Sequence, residues 1–503
     1  MKTCLTESTK ISRRSFLQAL GALTLSGSLA ACGGTGKAKS DRLAAGSLAY
    51  TPDEVVTVEF SDGGITVSPE DAAGFAVEGT ALSVSGAGVY ALSGSCADGS
   101  VKVEAQTEDV VLLLDGLTLT SADTAPIVCG ESTGVTIAVV DETENTLTDS
   151  EANDPDNAAD NENAEKAVVK CKDGSQVVLC GGGALTVNAL GKNGIKSGTA
   201  LDDRDASLTI RELTLNIEAL VNDAINAEQR LKVESGKLTI AAGEDAIHCD
   251  MELDIGAEGT TGPAITVSTC CEGLEGAVLN IHSGNMDITS TDDCLNAANS
   301  DLGDYAFEIN ISGGTIKAYS SEGDGFDSNG TLTITGGDIS VWTANAADNQ
   351  PLDADGRITI SGGTVLAAGG SAGMGLSISA SQPYVTFGGG RDSSLSLAGG
   401  EAFSIADESG KSVLDSTALC DAAFLFYSSP ALTAEGRYSV QSTVTATAKT
   451  GEADPQFGGN GGPGGSGGQR PDGMTPPDGQ MPQGQPPQSD GTTPPELPAA
   501  SSN

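Results

Sequence analysis

Seven times between residues 193 and 353 the chain repeats a four-residue phrase in which polar groups flank one small and one apolar residue. The copies are Asn193-Gly-Ile-Lys196, Asp223-Ala-Ile-Asn226, Asp245-Ala-Ile-His248, Glu272-Gly-Leu-Glu275, Asp293-Cys-Leu-Asn296, Asp324-Gly-Phe-Asp327 and Gln350-Pro-Leu-Asp353. If the copies stack, they make two polar columns, one of Asp223, Asp245, Glu272, Asp293 and Asp324, the other of Asn226, His248, Glu275, Asn296, Asp327 and Asp353. Glu244 and Asp292 directly precede two of the copies. Carboxylates stacked ~5 Å apart repel one another, which raises the cost of ionising them all. A hard cation relieves that cost, and Ca²⁺ accepts roughly six to eight oxygen ligands in flexible geometry. The expected metal ligands are therefore Asp223, Asn226, Glu244, Asp245, Asp292, Asp293, Asn296, Asp324, Asp327 and Asp353. Lys196 and Gln350 stand where other copies carry acids, so their two rungs are the weakest metal candidates. Solvated turn residues are the plain alternative, since Asp and Asn are ordinary in β-turns. Turn chemistry alone does not account for the same two offsets around an apolar residue in copy after copy.

The elements that must position these groups are short strands. Leu208–Ile217, Leu231–Ile240, Ile309–Ala318, Leu332–Val341 and Ile358–Ala367 alternate apolar with polar residues, and a turn, often Gly-Gly, interrupts each. Period-two alternation with such breaks reads as strand, turn, strand. The apolar centres of the phrase, at 195, 225, 247, 274, 295, 326 and 352, lie about 26 residues apart on average. Self-similarity in that range marks a solenoid, and three short strands per repeat suit a parallel β-helix whose coils stack at ~4.8 Å. Propeller blades need ~40 residues, and a β-sandwich array does not explain one polar-apolar-polar phrase per unit. The expected fold is all-β, a right-handed parallel β-helix over residues 51–450. Asp141–Glu165, acidic, rich in Asn and without apolar periodicity, reads as a long loop.

Composition narrows the partners. Of 503 residues, 25 are Lys or Arg and 69 are Asp or Glu, for a formal charge of −44. Phosphate binding needs clustered cations, so nucleic acid is excluded as a partner. Two histidines leave little room for His-based triads or zinc sites. Lyase chemistry needs a base near calcium, yet across 220–360 the cations are only the scattered Arg230, Lys232, Lys237, Lys317 and Arg357. No catalytic residue is assigned. Tyr305, Tyr319, Phe326 and Trp342 could supply an aromatic platform for a sugar; the plain reading is core or cap packing. Nine cysteines follow Cys32 with no CxxC pair, so most read as small buried hydrophobes. A pairing among Cys249, Cys270, Cys271 and Cys294 stays open.

The chain ends carry other signals. Ser12-Arg13-Arg14-Ser15-Phe16-Leu17 precedes an apolar run that closes in Leu29-Ala30-Ala31-Cys32. A basic start, an apolar middle and small residues before the cut form an export signal. The paired arginines resemble a twin-arginine signal, and Leu-Ala-Ala-Cys resembles a lipobox that would make Cys32 the lipidated first residue of the mature protein. Residues 1–31 are thus read as the signal peptide and 32–50 as a flexible tether, which puts the protein outside the cytoplasm on a membrane lipid anchor. Residues 451–503 hold 11 of the 19 prolines and 13 of the glycines and are read as a disordered tail.

A resemblance covers about residues 55–370. Val110-Val-Leu-Leu-Leu-Asp-Gly-Leu-Thr-Leu119, Ala125-Pro-Ile-Val128, Glu144-Asn-Thr-Leu-Thr-Asp149, Ala184-Leu-Thr-Val187 and Asn193-Gly-Ile-Lys-Ser197, followed by the Asp-x-Ile phrases, occur in order. In this the chain resembles the carbohydrate-binding β-helix family of bacterial surface proteins, which is akin in fold to pectate lyases. The resemblance implies calcium binding and a polysaccharide partner from the plant wall or an acidic sugar chain, without general catalysis. The expected function is calcium-dependent carbohydrate binding at the cell surface. Alternatives are a calcium-dependent polysaccharide lyase and a structural spacer or adhesin.

Overall fold

The computed structural model describes residues 43–452 apart from 157, 159, 304, 345–348, 371–377 and 390–394. The signal peptide, Cys32, the first part of the tether and nearly all of the tail lie outside the described residues. Among those described there is no α-helix, and 34 strands join one sheet. Among the described residues no helix is long and apolar enough to cross a membrane.

The large sheet is built from three ladders of parallel pairs. In one, Ala167–Cys171, Asn193–Ser197, Ile225–Ala227 and the start of Ile247–Ile255 follow one another, each hydrogen-bonded to its counterpart in the next repeat. Leu274–Ile281, Leu295–Ala297 and Phe326–Ser328 continue it. A second ladder carries Gln176–Gly181, Ser207–Ile210 and Arg230–Val233 onward. The third carries Ala184–Asn188, Thr214–Ala219 and Lys237–Ala242. Pairing therefore runs between repeats, with each residue opposite its counterpart in sequence, and the period of the phrase becomes the register of the sheet.

That register sorts the side chains. Ile195, Ile225, Ile247, Leu274, Leu295, Phe326 and Leu352 stack inside, each wholly shielded from solvent, and each such burial is worth about 1.5–3 kcal/mol. The residue after each apolar centre alternates to the other face of the same ladder, and several polar members of the phrase, Asn193, Asp223, Asp293, Asn296 and Gln350, are nonetheless buried. The residue before the apolar centre is small because adjacent turns nearly touch. A Cβ on Gly273 would come 2.3 Å from the carbonyl oxygen of Cys294, and one on Gly325 2.4 Å from that of Pro351.

Three boundaries differ from the sequence reading. Leu43–Ala45 and Leu48–Tyr50, assigned to the tether, form an antiparallel hairpin. It packs Ala45 against Val55, Ala91 and Ala138, and its turn is held by Gly46 N donating to Asp141 Oδ1 at 2.7 Å and Ser47 N to Glu212 Oε2 at 2.8 Å. Its residues are mostly small and apolar, with Leu43, Leu48 and Tyr50 packed against the same cluster, and remote acceptors fix its turn. Within the acidic segment, Glu144–Thr148 is a strand of the third ladder, paired with Ala184–Asn188, so the loop starts after it. At the other end Lys449–Glu452 pairs antiparallel with Ile378–Gly388, carrying the fold past residue 450. A four-stranded antiparallel sheet of Ala402–Asp407, Ser412–Thr417, Arg437–Val440 and Val444–Thr447 builds a second apolar cluster around Trp342, Phe403 and Tyr427.

Candidate functional site

The two columns are in register. Lys196 lies opposite Asn226, Asn226 opposite His248, His248 opposite Glu275, Glu275 opposite Asn296, and Asn296 opposite Asp327. Phe326 bridges to Leu352, which brings Asp353 into the same line. A groove of about 480 Å³ opens over part of this face. Asp223, Asn226, Asp245, His248 and Glu275 line it together with Asn299 and Asp301.

Much of the first column is engaged with the backbone. Asp223 Oδ1 accepts from the amide of Asp245 at 3.2 Å, Asp293 Oδ1 from the amide of Asp324 at 2.6 Å, and Asp324 Oδ1 from the amide of Gln350. Each acid thus caps the equivalent position one repeat on. The second column then decides how much charge remains. Asn226 Nδ2 donates to Asp223 Oδ2 at 2.7 Å while its Oδ1 accepts from Lys196 Nζ at 2.7 Å. Asn296 Nδ2 donates at 2.8 Å to Glu272 Oε2 of the preceding repeat. These rungs supply their own donors.

His248 satisfies its rung as an internal cation. Its Nδ1 meets Asp245 Oδ2 at 3.2 Å and Glu275 Oε2 at 2.5 Å, and its Nε2 meets Asp250 Oδ1 at 2.8 Å. Burial opposes charging of the ring, but the bonds to Asp245, Asp250 and Glu275 outweigh it and raise its pKa well above the usual range. Both ring nitrogens are then donors, and the imidazolium fills the place between carboxylates that a metal would take. Asp245 and Asp223, expected as ligands, are accordingly already served.

Elsewhere a single donor does not offset burial and neighbouring acids. Burial raises Asp293 to about 8, and Asp327, Asp292 and Asp324 add to it against the bond from the Asp324 amide. Burial, with repulsion from Glu275 and Asp245, raises Glu272 to about 9. Glu244 is raised by burial and by Asp245 and Asp223. Beyond them Asp324, Asp327 and Asp353 offer carboxylate oxygens within 4.8 Å of one another. Burial and then neighbouring acids push Asp324 to about 7 and Asp327 to about 6. Among the described residues two buried side-chain oxygens of neighbouring positions have no hydrogen-bond partner: Asn296 Oδ1, whose residue pairs in register with Asp327, and Gln350 Oε1, whose backbone amide caps Asp324. The three converging carboxylates form an all-oxygen donor set. It fits a hard divalent cation and suits soft metals poorly.

The aromatic platform does not assemble as expected. Trp342 is fully buried, edge-on to Phe403 at 6.0 Å between ring centroids, and its Nε1 donates to Ser340. It belongs to the C-terminal cluster, so no sugar can stack on it. Tyr319 lies beside Trp342 across the third ladder and packs partly against that cluster. Tyr305 is 40% exposed and tilts against Phe307. Cys249, Cys270 and Cys294 are buried free thiols, so no disulfide forms within the quartet. Sequence reasoning passed over two participants. Asp250, which closes on His248, falls outside the phrase, and Gln350 looked like a lost acid although its amide caps Asp324.

A family model described as carbohydrate-binding domain-containing protein matches residues 78–373, more than half of the chain. The chain belongs to that family. A relative of the same description from Acetivibrio thermocellus is 28% identical over 184 residues, 36% of this chain and 60% of the relative's length. A solved structure, described as the gadolinium derivative of a polysaccharide lyase-like protein from C. thermocellum, is 22% identical. It aligns with a TM-score of 0.33 over 60% of this chain and 95% of its own.

Proposed function

We propose that this chain is a calcium-dependent carbohydrate-binding protein. Its coils wind as a right-handed parallel β-helix, and a lipid on Cys32 holds it at the outer face of the cell membrane. Its ligand is a plant-wall or acidic polysaccharide. The observation that carries the reading is the Asp324, Asp327 and Asp353 trio with the orphaned oxygens of Asn296 and Gln350, inside the stretch the family model covers. Those five residues would hold Ca²⁺, which supplies positive charge that an acidic sugar can meet on a face otherwise too negative to approach it. Tyr305 offers an exposed ring edge for sugar contact.

Binding is favoured over cleavage by where the cations lie. The ladder's own lysines end at Lys196, five repeats or ~24 Å from Asp327. Arg357, near Asp353 in sequence, is paired with Glu452 at 2.9 Å. Neither stands as an unpaired elimination base beside Asp327. Calorimetric titration of the mature chain with Ca²⁺, then with polygalacturonate and a soluble glucan, tests the reading. Saturable calcium uptake that enables sugar binding supports it. Absence of calcium heat, or sugar binding indifferent to chelation, overturns it, and a rise in unsaturated-product absorbance would make the protein a lyase.

A further inference from the structure

The ladder that carries the acidic columns has a basic end. Between residues 166 and 196 stand Lys166, Lys170, Lys172, Lys192 and Lys196 with one acid, Asp173, in a chain of net charge −44. Lys170 and Lys196 are Cα partners on adjacent repeats. Both are half-buried on the polar side of strands whose neighbouring residues are buried. Lys196 is well served, with Asn226 Oδ1 at 2.7 Å and Glu228 Oε1 at 2.8 Å. Lys170 makes no hydrogen bond or ion pair among the described residues. Of the acids that attract it, Glu228 is bound to Lys196 and Glu165 to Lys172 at 2.7 Å. Burial first, and then repulsion from Lys196, pull its pKa down.

A half-buried ammonium beside a second ammonium is unfavourable unless an anion joins them. The two acids near Lys170, Glu228 and Glu165, are engaged by Lys196 and Lys172, so its charge is left for solvent or a ligand. The pair abuts the groove: Lys196 bonds Asn226, which lines it, and Lys170 lies ~10 Å, two repeats, from Asn226 along the ladder.

We propose that Lys170 and Lys196 form an anion subsite at the basic end of the groove, taking the carboxylate of an acidic sugar residue. The inference rests on the carbohydrate-binding reading and narrows it to uronate-bearing chains. Lys170 brings the unmatched charge and Lys196, though paired with Glu228, stands one coil spacing away with a third ammonium donor, whereas a neutral glycan leaves Lys170 as it stands.

The test is titration of the mature chain, in calcium, with an oligogalacturonate and separately with a neutral cello-oligosaccharide, for the wild type, Lys170→Gln and Lys170→Arg. The expected result is a loss of about tenfold or more in uronate affinity for Lys170→Gln, retention in Lys170→Arg and no change for the neutral sugar. Uronate binding that survives Lys170→Gln overturns the subsite and leaves carbohydrate binding standing. An equal loss for both sugars also overturns it. Binding of neither sugar by the wild type overturns the carbohydrate reading and the subsite with it. If Lys170→Gln melts early, ¹³C-dimethyl-lysine spectra of the wild type decide. A Lys170 resonance moved by galacturonate but not by glucose supports the subsite, and one unmoved refutes it.

Discussion

Without metal the fold should lose stability as the solution is made more alkaline, and Asp293 sets the scale. In the folded chain burial holds its proton up to about pH 8, while in the unfolded chain an aspartate releases it near ~3.9. Between those values the unfolded state binds fewer protons, so stability falls as pH rises; it is fully present below about pH 4 and gone by about pH 8. From pH 5 to pH 8, at ~1.4 kcal/mol per pH unit, Asp293 alone withdraws ~4 kcal/mol. Glu272 and Asp324 are raised as well and act in the same direction. An unfolding entropy of ~2.1 cal/mol/K per residue over ~400 residues makes ~4 kcal/mol about 5 °C in Tm. The assay is thermal melting in EDTA at a series of pH values, followed by repetition in calcium. Calcium at ~100 times its Kd should return ~2.7 kcal/mol at pH 8, or about 3 °C. Asp293→Asn keeps an oxygen to accept from the Asp324 amide and should flatten the EDTA profile. A Tm in EDTA that is level or rises between pH 5 and 8 would refute the argument that these carboxylates are buried against one another.

Asp327→Asn should weaken calcium binding about tenfold or more, read by calorimetry, while Asp223→Asn, whose carboxylate is already capped by Asp245 and Asn226, should leave it nearly unchanged. His248→Gln strips the cation from among Asp245, Asp250 and Glu275 and should cost about 3–5 kcal/mol at neutral pH. Added calcium should recover part of that loss and titrate with one more equivalent than in the wild type. Trp342→Ala should destabilise by ~3–5 kcal/mol without altering sugar affinity, since the ring is buried under the C-terminal sheet. Tyr305→Ala should do the reverse, reducing sugar affinity severalfold at unchanged Tm.

The phrase itself was enough to set the inside and the outside of the ladder. A hydrophobe at the same offset in every repeat can be buried only if repeats stack in register, so Ile225, Ile247 and Leu274 inside and Asn226, His248 and Glu275 outside follow from the spacing. The density of acids on that outer line was equally legible. What each acid meets was not, because it depends on reach between repeats and from outside the phrase. Asn296 turns to Glu272 of the previous repeat, and Asp250 closes on His248. Asp353 joins Asp324 and Asp327 although its own repeat begins with Gln350. Trp342 faced the same limit: its strand alternates like any other, and strands some 60 to 100 residues later bury it. Sequence period fixes which residues share a face because backbone pairing is periodic. Which of those charges are neutralised from within, and which are left for a metal or a sugar, is set by side-chain contacts between repeats that only the packed structure brings together.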